Sequence, residues 1–248
     1  MALSFRGLSA VALVTALFVA GGFALGGFLV GRGSLDSRLA NRTVTVKGVA
    51  EQDARADLAT YPLRVTVTAG DIGDGERRLG EQVATIATFL QEYGFQGDEV
   101  ARLQLDVQDV LAQSYRPSQT NNDARFILAQ TILVRSVNVD LVGKLAQDTG
   151  NLVRRGIVIS DMGGPNYSVT AARLNQLKPE LIRQATESAK AAAAEFAKSS
   201  GSKVGGIRNA NQGVIAILAR DESPVVSERN SVAKRIRAVT TVDYLLTE

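Results

Sequence analysis

The stretch that decides the fold is KPELIRQATESAKAAAAEFAKSSG, residues 178–201. Pro179 is typical of the first turn of a helix and Gly201 of the position after its end, so this stretch predicts the longest helix of the chain. Its apolar residues recur at helical spacing and form one stripe: Ile182, Ala185, Ala189, Ala192 and Phe196. Because most of these side chains are small, we expect the helix to lie close against a sheet.

Around this helix the chain alternates between apolar and polar residues, as strands with one buried face do. Helical spacing returns at 79–93 and at 139–154. The order strand, helix, strand, polar loop, strand occurs at 56–139 and again at 157–247. The sequence therefore predicts an α+β fold with two βαββ-like units joined by the helix 139–154.

The composition excludes several classes of function. The 248 residues include no Cys and no His, which removes disulfides, thiol nucleophiles, Ser-His-Asp catalysis and the commonest transition-metal ligand. The formal net charge is +3, and the basic residues are scattered instead of forming a nucleic-acid stripe. We expect no enzyme activity, no cofactor, no metal and no nucleic-acid partner.

The N-terminal segment carries no charge between Arg6 and Arg32. As a helix this run would exceed a hydrocarbon core of about 30 Å, whereas the apolar part of a signal peptide has about 7–15 residues. We therefore predict a retained signal anchor at residues 1–31, in the bacterial inner membrane, with a single pass and the C-terminal domain in the periplasm. Cleavage after Ala24 or Gly26 is the alternative.

Two pairs of glycines in this segment are four residues apart, Gly22 with Gly26 and Gly27 with Gly31. Such spacing lets helix backbones approach each other closely in a bilayer, so these glycines are predicted to pack against another copy. The alternative is that glycine is simply common in membrane helices. Residues 32–42 are predicted to be a polar linker and residues 43–248 a single folded domain.

Four polar motifs outside the anchor are interpreted mainly as structural. Asp74 in GDIGDGE is predicted to be a helix N-cap, because the loop lacks the spacing of a calcium site. Asp106 and Asp109 would point to opposite faces of a strand, unlike a glycosidase pair. SGSKVGG at 200–206 lacks the order of a phosphate loop and indicates a helix end.

VGGIRNANQG at 204–213 is the fourth motif. It places Asn209, Asn211 and Gln212 between glycines, where they would contact a neighbouring subunit or a ligand. The alternative is a bulged entry into a strand.

The chain resembles the SIMPL-domain family, a family of unknown function, from about Thr43 to its end. The similar stretches are VTVKGVAEQDARADLATY, LNQLKPELIRQATESAKAAAAEFAKSSGSKVGGIRNANQG and RIRAVTTVDYLL. The resemblance implies an α+β envelope protein of Gram-negative bacteria, periplasmic or anchored in the inner membrane. Some members assemble into homo-oligomeric rings, bacterial members are linked to stress tolerance and animal members act as signalling adaptors. No catalytic residues come with the family.

Two functions follow as expectations. The first is a non-enzymatic, membrane-anchored envelope protein that self-assembles into a homo-oligomeric ring or cage through its edge strands and anchor glycines. The second is a monomeric or dimeric periplasmic adaptor, which recruits a protein or peptide client through the polar loops at 116–123 and 223–231.

Overall fold

The computed structural model describes residues 16–31, 42–112, 125–160 and 163–247. Short 3₁₀ turns follow the second helix and the third strand. The helices and strands of the described residues are, in chain order, α1 (16–31), β1 (Thr43–Arg55), β2 (Leu58–Ala69), α2 (Ile72–Tyr93), β3 (Val100–Asp109), β4 (Phe126–Ser136), α3 (Val139–Gln147), α4 (Gly150–Arg154), β5 (Ile159–Ser160), β6 (Asn166–Ser168), α5 (Ala171–Ser199), β7 (Lys203–Gln212), β8 (Ala216–Ala219) and β9 (Ala233–Thr247).

The described residues fall into two compact units. The small unit contains the residues up to Ala50, Ile182–Val214, and those from Ala238 onward. The large unit contains Glu51–Leu181 and Ile215–Arg237. A helix packs against each of the two sheets, as expected for an α+β chain. The strand pairs β2–β4, β3–β4 and β7–β9 are antiparallel.

The large unit holds the βαββ arrangement predicted at 56–139. Its sheet has the order β3-β4-β2-β5, and β6 also pairs with β2. The core under α2 is made of large side chains, because the helix presents Leu79, Val83, Ile86, Phe89 and Leu90 to the sheet. The opposing sheet residues are equally apolar and include Leu63, Val65, Leu128 and Ile132.

The start of α2 differs from the prediction. Asp71 is the N-cap, because its carboxylate accepts hydrogen bonds from the backbone nitrogens of Gly73 (2.9 Å) and Asp74 (3.1 Å). The prediction of Asp74 as the cap is therefore wrong by one turn. Asp74 lies in the first turn and forms an ion pair with Arg77 at 2.6 Å. The helix ends at Gly94, whose φ of 98° is left-handed, a conformation that glycine adopts readily.

The small unit is built around residues 182–199 of α5. Its strands have the order β1-β9-β7. Ala185, Ala189, Ala193 and Ala197 are fully buried, whereas Phe196 is 61% exposed. The predicted stripe is thus right at Ala185 and Ala189 and wrong at Phe196, because the buried residues repeat every four positions and the helix approaches the sheet too closely for an aromatic ring.

Gly48 permits this close approach. A Cβ at position 48 of β1 would overlap the carbonyl oxygen of Ala185 and lie 2.5 Å from the backbone nitrogen of Ala189. Only glycine can therefore occupy this place without moving the helix. Val46, Val242 and Tyr244 form one buried cluster with Ala189 and Ala193.

Helix α5 begins seven residues before the predicted start, at Ala171, and Pro179 lies inside it. Thr170 caps the helix, because its hydroxyl accepts from the backbone nitrogen of Arg173 at 3.3 Å. Asp57 fixes this cap from far along the chain by accepting from both Thr170 N (2.7 Å) and Thr170 Oγ1 (2.6 Å). The bond between Asp57 and Thr170 joins residues 113 positions apart, so no local sequence pattern predicts it. The predicted helix therefore began at the proline.

The second βαββ arrangement has a different first strand from the predicted one. We expected the segment at 157–170 to open it, but β5 and β6 pair with β2 in the sheet of the large unit. The order β7-β9-β1 instead repeats the order β3-β4-β2, with β1 in the place of β2. The chain thus supplies the first strand of the second arrangement about 130 residues before its helix.

The joining helix predicted at 139–154 consists of two short helices, α3 and α4. Asn138 caps α3 by accepting from Leu141 N at 3.1 Å. The buried side chains are Val139, Val142, Leu145 and Leu152. Val153 is 60% exposed, because α4 starts a new helical phase after the break at 148–149.

Candidate functional site

Two edge strands, β3 and β7, are candidate contact surfaces. Within the described ranges, β3 pairs only with β4, and β1 and β7 each pair only with β9. A larger share of residues is exposed in β3 and β7 than in β1. Most residues of β3 and of β7 are exposed. A row of unpaired N–H and C=O groups on an edge strand is a template for another strand. Both strands are therefore candidate contact surfaces.

Strand β3 adds apolar side chains to its free edge. Leu103, Leu105 and Val107 are 48%, 45% and 46% exposed. In the register with β4, Val107 lies opposite Leu128, which belongs to the core under α2. Val107 is therefore on the helix side of the sheet, but α2 covers β2 and β4 and leaves this side of β3 open.

A bulge divides β3 and is held by a side chain. The register shifts between Arg102 and Leu105. Gln130 Nε2 of β4 donates to the carbonyl oxygen of Leu103 at 2.6 Å. The bulge twists the first half of the edge, whereas residues 105–109 keep a regular register with β4. The regular second half of β3 is thus the part suited to pairing.

The two aspartates of β3 are engaged in separate ion pairs. Asp106 pairs with Arg64 of β2 at 2.8 Å, and Asp109 pairs with Arg125 at 2.8 Å. The hydrogen bond from Arg125 holds the pKa of Asp109 below its usual value. Three positions apart on a strand, the two carboxylates lie on opposite faces, as the sequence indicated.

Strand β7 carries the predicted contact residues Asn209, Asn211 and Gln212, all of them exposed. The register with β9 shifts on both sides of Ile207, in agreement with the bulged-strand interpretation of this stretch. Asn209 and Asn211 lie on one face of the strand and Gln212 on the other, because side chains alternate along a strand. The three residues therefore share an edge but do not form one cluster.

Asp243 of β9 organises the face of the small unit that carries Asn209. Thr45 Oγ1 of β1 donates to Asp243 Oδ1 at 2.6 Å, and Asn209 Nδ2 donates to Asp243 Oδ2 at 3.4 Å. A polar row thus crosses β1, β9 and β7. Asn211 and Gln212 have no such partner among the described residues.

The predicted anchor glycines lie in α1, whose residues are all exposed. A Cβ at Gly22, Gly26, Gly27 or Gly31 would meet no described atom within 4 Å. No helix in the described part of the chain has the length and apolar character of a membrane-spanning candidate. Residues 1–15 of the predicted anchor and 32–41 of the predicted linker lie outside the described residues.

The predicted client loop at 223–231 is held by a buried lysine in the large unit. Lys234 is fully buried, and its Nζ donates to Tyr167 O (2.7 Å), to Glu228 O and to Glu228 Oε1 (3.1 Å). Asn230 closes the loop by donating to Val225 O at 2.9 Å. The loop is therefore fixed at its middle. The other predicted loop, 116–123, lies outside the described residues.

A groove of about 360 Å³ opens beside this loop. Pro62, Leu133 and Pro165 supply apolar surface. The polar lining includes Asn166, Ser227, Arg229 and Asn230. The guanidinium of Arg229 makes no hydrogen bond or ion pair with another described residue, although its carbonyl accepts from Tyr167 N at 2.8 Å. The groove thus combines apolar lining residues with one arginine that no described carboxylate pairs with.

A comparison with known protein families identifies the family to which the chain belongs. Residues 44–243 match the family described as "SIMPL: Protein of unknown function (DUF541)". The chain belongs to the SIMPL family. No curated protein matches this SIMPL chain.

Three residues of this SIMPL chain that shape its candidate surfaces gave no signal in the sequence. Gln130 donates to Leu103 O, and Lys234 donates to Tyr167 O, both far along the chain. The guanidinium of Arg229 has no partner among the described residues and lines the groove. A single lysine or glutamine in an alternating strand looks like a solvent-facing residue. In the portion that the structure describes, no three His, Cys, Asp or Glu side chains are placed to hold a metal ion.

Proposed function

We propose that this SIMPL protein is a non-enzymatic, membrane-anchored envelope protein that self-assembles into a homo-oligomeric ring or cage. The observation that carries the proposal is the pair of free, exposed edges on β3 and β7. Main-chain hydrogen bonds between edge strands supply adhesion without requiring a particular side chain.

The two edges are chemically different. The open side of β3 carries Leu105 and Val107, whereas β7 carries Asn209, Asn211 and Gln212. Contact between two different surfaces of identical subunits is heterologous, and a heterologous contact that closes produces a ring. Burying Leu105 and Val107 in such a contact removes apolar surface from water, which favours association.

The uncharged run between Arg6 and Arg32 supports the membrane part of the proposal. The segment anchors the protein in the inner membrane with a single pass, and the folded domain lies in the periplasm. A Cβ at Gly22, Gly26, Gly27 or Gly31 would meet no described atom within 4 Å, and the four-residue spacing of these glycines suits packing against the anchor of another copy.

Native mass spectrometry of the full-length protein, extracted from its own membrane in mild detergent, tests the proposal. It reports the subunit mass and the complex mass together. We expect an uncleaved subunit in a large discrete multiple. A shortened monomeric subunit would contradict both the anchor and the assembly.

Proline substitutions then test the edge strands. The N–H groups of neighbouring residues in a regular strand point to opposite edges. One proline of the pair Val107→Pro and Gln108→Pro therefore removes an N–H from the free edge of β3. In the same way, one of Asn211→Pro and Gln212→Pro removes an N–H from the free edge of β7. We expect the outward proline of each pair to break the assembly while the subunit stays folded. Gln108→Lys and Asn211→Lys keep the N–H and should preserve the assembly. An intact assembly in all four proline variants would refute pairing through these strands.

The groove beside residues 223–231 favours a second function, a monomeric or dimeric periplasmic adaptor that recruits a peptide or protein client. Arg229 would bind an acidic group of the client, and Pro62, Leu133 and Pro165 would contact its apolar residues. Deletion of 223–231 is a poor test because it removes Glu228 and leaves Lys234 buried without that partner.

Arg229→Glu is a sharper test of the adaptor, since it changes the charge of the groove and leaves the loop intact. Under the adaptor function it abolishes capture of the client and leaves the subunit mass and fold unchanged. Under the self-assembly function the same variant keeps the full complex mass. Lys190→Glu, on the exposed side of α5, serves as a control of equal charge change away from the groove and from both edge strands.

A further inference from the structure

Three arginines from three separate elements line one open groove in the large unit. Arg55 ends β1, Arg173 lies in the first turn of α5, and Arg220 directly follows β8. The groove has a volume of about 460 Å³. Asp53 is the acidic residue of its lining, and Ala54, Val232 and Ala233 supply apolar surface. Neither function proposed above uses this groove.

Arg173 has no carboxylate partner among the described residues. Its Nη1 donates to the neutral amide oxygen of Gln176 at 3.1 Å. It also occupies the positive end of a helix of 29 residues that has no acidic residue in its first turn. A cation is disfavoured at this end of a helix, where an anion is stabilised. The position of Arg173 is therefore explained better by an anion in the groove than by the stability of the helix.

The other two arginines form exposed ion pairs, and Arg220 is also attracted by Asp53. Arg55 pairs with Asp140, and Arg220 pairs with Asp221 at 2.7 Å. In both pairs each side chain is at least 45% exposed. Exposed ion pairs contribute little, and a guanidinium has five donors, so each arginine can donate to a further anion.

Asp53 in the lining and Asp57 near the start of α5 are already engaged. Asp53 accepts from Arg235 Nε at 3.0 Å. Asp57 uses one oxygen on Thr170 N and the other on Thr170 Oγ1. Neither of these carboxylates is within ion-pair distance of Arg173, so the charge of Arg173 is left for a ligand.

The backbone that carries the arginines is fixed before any ligand binds. Ala56 N donates to Val232 O at 2.9 Å, and Arg220 N donates to Ala233 O at 3.0 Å. The Asp57–Thr170 bonds fix the start of α5. A groove whose walls are tied together in this way loses little conformational entropy on binding.

We propose that this groove binds a small ligand with two anionic oxygen-bearing groups, carboxylates or phosphates, on a short carbon or oxygen skeleton. Planar guanidinium groups match both carboxylate and phosphate oxygens through paired hydrogen bonds. Arg173 binds one anionic group, Arg55 and Arg220 bind the other, and the surface of Ala54, Val232 and Ala233 contacts the skeleton between them.

Isothermal titration calorimetry of the full-length protein in mild detergent tests this site, with citrate and inorganic pyrophosphate as probes at constant ionic strength. We expect saturable binding of at least one probe. Preference for citrate assigns carboxylates and preference for pyrophosphate assigns phosphates, and either result supports the site. No heat of binding from either probe would overturn it.

Arg173→Gln is the decisive variant, and Arg183→Gln is its matched control on the same helix, where Arg183 pairs with Glu187 at 2.7 Å. We expect Arg173→Gln to weaken binding by about tenfold or more and Arg183→Gln to leave it unchanged. Equal weakening by both variants would show general charge attraction and refute the site. Arg220→Gln replaces Arg173→Gln if the latter shifts the thermal unfolding midpoint without ligand.

Discussion

The two βαββ arrangements have the same strand order but differ in how the helix meets the sheet. In the large unit, α2 packs through Leu79, Ile86 and Phe89, which fill the space above β2 and β4. In the small unit, α5 meets β1 and β9 through alanines, and Gly48 brings its backbone into contact with the strand. One topology is thus stabilised by side-chain volume and the other by close approach.

This difference changes which substitutions each unit tolerates. A core filled by large side chains is harmed when a side chain is shortened, because a cavity remains. A contact made by backbone and Cβ atoms is harmed when a side chain is lengthened, because nothing can move aside. Shortening a side chain should therefore destabilise the α2 contact, whereas lengthening one should destabilise the α5 contact.

Ile86→Ala should give the largest effect. Ile86 is fully buried under α2, so its truncation should lower the free energy of unfolding by about 4 kcal/mol. Phe196→Ala is the control in α5, where a larger side chain is lost from a position that is 61% exposed, and it should cost less than about 1 kcal/mol. Urea unfolding of the full chain, followed by far-UV circular dichroism, measures both. Equal losses of unfolding free energy in the two variants would contradict the proposed difference between the contacts of α2 and α5.

Gly48→Ala should follow with a loss of about 3 kcal/mol, although it adds a single methyl group. The added Cβ meets backbone atoms of Ala185 and Ala189, which cannot rotate away. Gly206→Ala in β7 is the matched control, because a Cβ there would meet nothing within 4 Å. A lowered urea midpoint for the first variant alone is the expected result. If both variants unfold at the wild-type midpoint, close approach does not stabilise the small unit.

The same contrast explains how far the sequence could predict the fold. The arrangement at 56–139 was predicted because β2, α2, β3 and β4 follow each other and their large apolar residues have clear periods. The second arrangement was only partly predicted, since its first strand is β1, and no local pattern says which sheet a strand joins. The buried side of α5 was also hard to predict from the sequence, because alanine is compatible with both exposed and buried positions.

The candidate surfaces were predictable to a smaller extent. Asn209, Asn211 and Gln212 were recognised as exposed polar residues of a bulged strand, but their distribution over two faces required the register. Arg173 was hidden inside a segment that the sequence left outside the helix. Its isolation from carboxylates depends on Asp57 and Asp53, which lie more than one hundred residues away along the chain.

The caps of the two helices should give a smaller effect, of about 1 to 2 kcal/mol. Asp71 caps α2 through neighbouring residues, whereas Asp57 fixes the start of α5 through Thr170, 113 residues away. We expect Asp71→Ala to cost about 1 kcal/mol and Asp57→Ala about 2 kcal/mol, because the second leaves a partly buried N–H without its acceptor. A double-mutant cycle of Asp57→Ala with Thr170→Ala should show coupling, and additive costs would refute the long-range cap.

The smallest expected effect is on the titration of the first turn of α2. The hydrogen bond from Arg77 lowers the pKa of Asp74, and Arg78 acts in the same direction. Because the pKa is lower in the folded than in the unfolded state, the ion pair adds stability above the unfolded pKa and loses it as the pH falls through the folded pKa. Arg77→Gln should raise the pKa of Asp74 in a carboxyl ¹³C NMR titration, and Arg208→Gln in β7 should leave it unchanged.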